Sequence, residues 1–222
     1  MEFLKHVLDV VLHLDKHLND VIQSYGTWTH LILFGIVFCE TGLIVTPFLP
    51  GDSLLFAAGA FAAEPGNALH VGWLWAMLAT AAVLGDTLNY SVGKALRNRV
   101  AAGGLRFIKP AHLQRTHAFY EKYGRKTIIL ARFVPIVRTF APFVAGVGTM
   151  AWSTFIGFSI AGAIAWTGIF LFAGYFFGSM PVVKQNFPLV ILAIIALSLA
   201  PIAYELLKAR REAKHAAADA EP

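Results

Sequence analysis

The feature that most constrains this chain is a long apolar run, Leu31 to Ala63, with Glu40, Pro47, Pro50, Gly51 and Asp52 set into its middle. A continuous helix over these residues would be roughly 50 Å long, against a hydrocarbon core of roughly 30 Å. Two full crossings need about 40 residues. The length fits neither, and Pro47-Phe48-Leu49-Pro50-Gly51 sits where an unbroken helix is hardest to continue. The run therefore predicts a re-entrant helical hairpin that enters and leaves on one side. Broken backbone at that depth is tolerated where protein or water surrounds it. Ala63-Glu64-Pro65-Gly66-Asn67 reads as the exit turn.

The composition supports a membrane setting. Of 222 residues, 57% are hydrophobic and 14% charged, and the mean hydropathy is +0.64. The formal net charge is +5, but the excess is local: Lys94 to Lys126 holds nine Lys/Arg and one acid, Glu121. Such blocks mark cytoplasmic flanks, and no nucleic-acid-binding motif accompanies them. A solvated surface facing headgroups accounts for these charges better than a substrate site. The single cysteine, Cys39, excludes an intrachain disulfide and a multi-cysteine metal site. No signal peptide is expected, because Met1 to Asp20 has no uninterrupted apolar core.

Residues 1–25 read as an amphipathic helix lying at the membrane surface, with Leu4, Val7, Val11, Leu14 and Leu18 on one face. His13 and His17 are one helical turn apart, as in some metal sites. Two solvated histidines are the simpler account, and no metal or other cofactor is expected. Residues 72–96 make a transmembrane helix carrying Asp86, Asn89 and Tyr90, and 111–123 a second amphipathic piece. Residues 127–149 are apolar around Arg132, Pro135, Arg138 and Pro142, while 152–179 and 186–207 read as transmembrane helices. The tail, with Lys208, Arg210, Arg211 and Lys214, is also basic. Three full crossings would place the two basic blocks on opposite sides. One segment must turn back, and 127–149 has the breakers to do so.

The halves echo one another. Tyr25-Gly26 and Tyr123-Gly124 end the two amphipathic pieces, and Glu40 and Arg138 each lie 14 residues past that glycine. The expected fold is an all-α integral membrane domain. It is an inverted repeat of amphipathic helix, re-entrant hairpin and transmembrane helix (1–97 and 108–179), then a C-terminal transmembrane helix (186–207) and a cytoplasmic tail (208–222). Inverted symmetry puts the N-terminus outside. The first hairpin supplies Glu40 and Asp52, the second Arg132 and Arg138. Four isolated charges at mid-membrane would cost on the order of 10–14 kcal/mol on insertion scales, so they are expected to meet. They form either a polar site with titratable acids and phosphate-reading arginines, or structural salt bridges. Apolar residues would serve a structural role equally well, which favours the site. Asp86 and Tyr90 are second-tier candidates, with Asp86 expected to bond Asn89 or Tyr90.

Phe38-Cys39-Glu40-Thr41-Gly42 with Pro47 to Gly59, and Ala131-Arg132-Phe133-Val134-Pro135-Ile136-Val137-Arg138 through Gly146, resemble the two long signatures of the DedA family. Gly85-Asp86, Tyr90, Gly93, Gly162 and Trp166 are similar to its weaker ones. The resemblance spans roughly residues 20–205. It implies a bacterial inner-membrane protein related to eukaryotic lipid scramblases. The implied function is translocation of undecaprenyl phosphate or a phospholipid such as phosphatidylethanolamine, with a link to the proton motive force. Its functional acids fall on Glu40 and Asp52, its arginines on Arg132 and Arg138. A lipid phosphate is then expected at the arginines, with Glu40 or Asp52 carrying a coupled proton. The alternative is a proton-coupled transporter of a small cation or solute. An enzyme is not expected, since all eight histidines lie outside the charged centres of the hairpins. The oligomeric state is left open.

Overall fold

The computed structural model describes residues 24–43, 51–66, 69–101, 116–117, 120–148 and 150–198. Most of the first amphipathic helix with His13 and His17, the Pro47–Pro50 stretch, much of 111–123 and the basic tail lie outside the described residues. Among the described residues every regular element is a helix: α1 (Thr29–Gly42), α2 (Gly51–Ala62), α3 (Val71–Ala101), α4 (Thr127–Ala131), α5 (Pro135–Val147), α6 (Trp152–Phe177), α7 (Pro181–Gln185) and α8 (Phe187–Ser198).

Among the described residues two helices, α3 and α6, are long and apolar enough to cross a membrane. The helix expected over 72–96 runs on to Ala101, because no breaker stops it. Arg97 in this extension donates to the Gly146 and Gly148 carbonyls at the end of α5. Neither α1, with 14 residues, nor α2, with 12, can span the bilayer core alone. The 127–149 segment is also two pieces. Val134, extended at φ −124° and ψ 100°, precedes Pro135 at the start of α5, as the steric demand of proline on its predecessor requires. The helix expected over 186–207 is interrupted at its start. It is preceded by the short α7 and an irregular Asn186, and its described part ends at Ser198.

The helices pack in an exchanged pattern. α1 packs on α3 and α4 on α6, whereas α2 packs on α6 and α5 on α3; α3 and α6 meet in the middle. Within each candidate hairpin the first arm therefore leans on one long helix and the second arm on the other. The crossings are close enough to admit only glycine. A Cβ on Gly59 would overlap the Leu171 carbonyl, and one on Gly174 the Phe56 carbonyl. A Cβ on Gly93 would overlap the Phe143 carbonyl, and one on Gly146 the Tyr90 carbonyl. In both crossings each glycine faces the residue three before its partner glycine. Since the obstacle is backbone rather than a movable side chain, Gly174→Ala is expected to destabilise the protein by about 1–3 kcal/mol. Thermal unfolding in detergent, beside Gly157→Ala where a Cβ meets open space, checks this.

The outer surface is apolar: Trp73, Leu84, Ile164, Ile169, Phe176, Leu189 and Leu197 are all exposed. The interior holds one core shared by α1, α2, α3, α6 and α8, and a second built on Tyr90, Ile128, Val137, Ala141 and Phe155. Charged residues lie with these cores, inside a molecule whose outer face is apolar.

Candidate functional site

Five charged side chains meet in the interior, each between 2 and 8% exposed: Glu40, Asp52, Asp86, Arg132 and Arg138. Glu40 lies in the last turn of α1, where the helix dipole disfavours an acid. Arg138 lies in the first turn of α5, where the dipole disfavours a cation. Asp52, in the first turn of α2, is favourably placed. The two disfavoured charges are held by each other. Arg138 Nη2 donates to Glu40 Oε1, and Nη1 to Asp52 Oδ1 at 3.0 Å. α1 and α2 have little direct contact, so Arg138 is the clasp between them. Gly51 brings its backbone against the Glu40 carboxylate, leaving no room for a Cβ. Pro142 adds to the polarity here, since it lacks the N–H that would bond the Arg138 carbonyl.

The second pair is Arg132 with Asp86, at 2.5 Å. The Ser159 hydroxyl also donates to Asp86 Oδ2, at 2.6 Å. Asp86 does not bond Asn89 or Tyr90 as expected. A guanidinium across the bundle is a stronger donor than a neutral neighbour on the same helix. Asn89 Nδ2 instead donates to the Thr139 carbonyl at 2.8 Å and the Thr41 carbonyl at 3.3 Å, tying α5 and α1 to α3. The Tyr90 hydroxyl donates to the Met150 carbonyl, and its ring stacks on Phe155. Tyr90 thus bonds and packs with Met150 and Phe155, while Asp86 pairs with Arg132.

Trp166 joins the two pairs. Its indole N–H donates to Asp52 Oδ1 at 2.8 Å, and both guanidiniums lie near its ring, Arg138 at 5.0 Å and Arg132 at 5.9 Å from the centroid. The contacts of Trp166 and Ser159 with these acids are not legible in the sequence. Trp166 stands there only among the residues similar to the weaker DedA signatures.

Two features remain after pairing. The five groups comprise three carboxylates and two guanidiniums, leaving one negative charge in excess when all are ionised. Among the described residues, Arg132 Nε and Nη1 are buried and have no hydrogen-bond partner. Buried guanidinium donors are rarely left so. A cavity of about 440 Å³ beside Tyr120, Arg125 and Met150 is not lined by these charges.

The VTT domain family model matches residues 49–176, which contain all of these charged groups except Glu40. Over 218 residues the chain is 47% identical to Protein DedA of Escherichia coli K12, covering 98% of this chain and 100% of that protein. The chain belongs to the DedA family. Within the DedA relatives, an uncharacterised membrane protein of Mycobacterium tuberculosis H37Rv is 46% identical over 199 residues, 86% of this chain and 87% of its own. Inner membrane protein YqjA of E. coli K12 is 34% identical over 154 residues, 69% of each chain. No solved structure matches. Like these DedA relatives, the chain is a membrane protein, with an apolar outer face and five charged side chains buried inside.

Proposed function

We propose that this DedA-family protein moves a phosphate-bearing lipid across the bacterial inner membrane, coupled to a proton, and is not an enzyme. The observation that carries this reading is the buried charge cluster with Arg132 left two donors short. A structural guanidinium would be expected to have its N–H groups satisfied. A lipid phosphate offers the missing acceptors, while its tails remain in the bilayer. Arg138 matches phosphate geometry equally well, but it already holds Glu40 and Asp52. When phosphate engages it, the clasp between α1 and α2 opens, and the released carboxylates take a proton in place of their counter-charge. Glu40, whose counter-charge is Arg138, is the seat for a proton that balances the cluster once that clasp opens.

The exchanged helix packing supports an inverted repeat with two re-entrant hairpins. So do the reciprocal glycine crossings and the matched entries: Gly26 at φ +50° and Gly124 at φ +57°, each opening a 3-10 turn that leads to a buried threonine, Thr29 and Thr127. In this arrangement the C-terminus is cytoplasmic and the N-terminus periplasmic. No histidine lies among the described charges, as a lipid phosphatase would need.

The surplus negative charge also favours a second reading, transport of a small cation with a proton. Purified protein in liposomes carrying labelled lipids separates the two. Wild type is expected to move phosphate-headgroup lipids faster than a neutral diacylglycerol analogue, and Asp52→Asn to lose at least roughly tenfold of that rate. Ion flux without lipid movement would replace the lipid reading by the cation one.

A further inference from the structure

Asp52 is held by groups from three other helices. Arg138 and Trp166, from α5 and α6, both address Oδ1. Oδ2 is bonded by the hydroxyl of Ser198, at 2.5 Å, from the last described turn of α8. Arg138 and Trp166 fall inside the matched domain, which ends at residue 176; Ser198 falls outside it. The route by which α8 reaches the acid is visible in its packing. Phe187 and Ile191 are buried in the core shared with α2, and the Phe187 ring meets Phe56, one turn beyond Asp52. α8 therefore runs beside α2, and its last described turn reaches the carboxylate.

Serine in an apolar helix ordinarily satisfies its hydroxyl on the carbonyl four residues back, as Thr80 and Ser91 do here. Ser198 instead reaches a group 146 residues away in the chain. We propose that Ser198 is a positioning residue for Asp52, and that the C-terminal helix is a working wall of the translocation site rather than a separate anchor. With Oδ2 fixed by the hydroxyl, Oδ1 is turned toward Arg138 and Trp166. Without it, the carboxylate is held through Oδ1 alone, its plane is less fixed, and one of the two acceptors of the Arg138 fork is less well placed. Among the described residues the charged groups that bear on Asp52 are Arg138 and, through it, Glu40 of α1.

This inference rests on Asp52 being a transport residue, so the test measures both. The full chain is reconstituted with a labelled phosphate-headgroup lipid as wild type, Ser198→Ala, Ser198→Thr, Ser198→Cys and Asp52→Asn. Ser198→Ala is expected to slow lipid movement about tenfold, the scale of a buried hydrogen bond to a charged group. Ser198→Thr, which keeps the hydroxyl, is expected to restore it, and Ser198→Cys, of similar size but a weak donor, to fall between. A thermal-midpoint cycle in detergent adds a readout independent of transport: the loss from Ser198→Ala should shrink to near zero in an Asp52→Ala background, which leaves the hydroxyl no side chain to bond. If Asp52→Asn is slow while Ser198→Ala moves lipid at the wild-type rate, the positioning role is overturned and the transport reading survives. Equal thermal losses from Ser198→Ala in both backgrounds would overturn it too. If Asp52→Asn itself moves lipid normally, the reading of Asp52 fails first and takes this role with it.

Discussion

Replacing Arg138 with alanine is expected to destabilise the protein by about 3–5 kcal/mol and to reduce lipid movement at least roughly a hundredfold. The size follows from what is left behind. Glu40 and Asp52 come from helices that scarcely touch, and both are turned toward one guanidinium in the interior. Removing it leaves two buried carboxylates facing each other without a counter-charge. Breaking a buried pair from one side is costly because the surviving charge remains desolvated. Arg138→Lys separates charge from geometry. A single ammonium keeps the cation but has no planar fork with which to reach both acids at once, and it stacks less well on Trp166. Lysine is therefore expected to recover much of the thermal stability and less than about a tenth of the transport rate. Detergent unfolding curves and liposome assays on the three proteins check both halves. Full activity in Arg138→Lys would show that only the charge matters.

The parts legible in the sequence were those with a strong local cause. Charge and proline inside apolar runs marked Glu40, Asp52, Arg132 and Arg138 as groups that must meet something other than lipid, and the structure brings each into one interior cluster. The proline at 135 and the glycines at 26 and 124 likewise mark real interruptions. Partner choice was not legible, because it depends on which helix faces cross. Asp86 and Asn89 are three residues apart on one helix, so a local bond was the natural expectation. Only the approach of α4 to α6, where Gly162 sits against Arg132, delivers a guanidinium to Asp86. Ser159 and Ser198 are small hydroxyls in greasy helices with no pattern around them, and their role comes entirely from three-dimensional neighbours.

The Asp86–Arg132 pair gives the sharpest separation of structure from transport. Either single replacement, Asp86→Leu or Arg132→Leu, is expected to destabilise by about 3–5 kcal/mol, since each strands the opposite charge inside the bundle. The double replacement removes both charges and fills the space with apolar side chains. Such exchanges are often neutral or stabilising, so most of the loss should return. Were the pair only a brace, transport would return with it. In the proposed function it does not, because the unpaired Nε and Nη1 of Arg132 are the donors a phosphate uses, and leucine has none. The expected outcome is a double mutant with near wild-type thermal stability and lipid movement still reduced at least roughly thirtyfold, about 2 kcal/mol of lost stabilisation, on the scale of a charged hydrogen bond. Unfolding midpoints and liposome rates measured on the same preparations decide it. A stable double mutant that moves lipid at the wild-type rate would make Arg132 a brace and leave Arg138 as the phosphate contact.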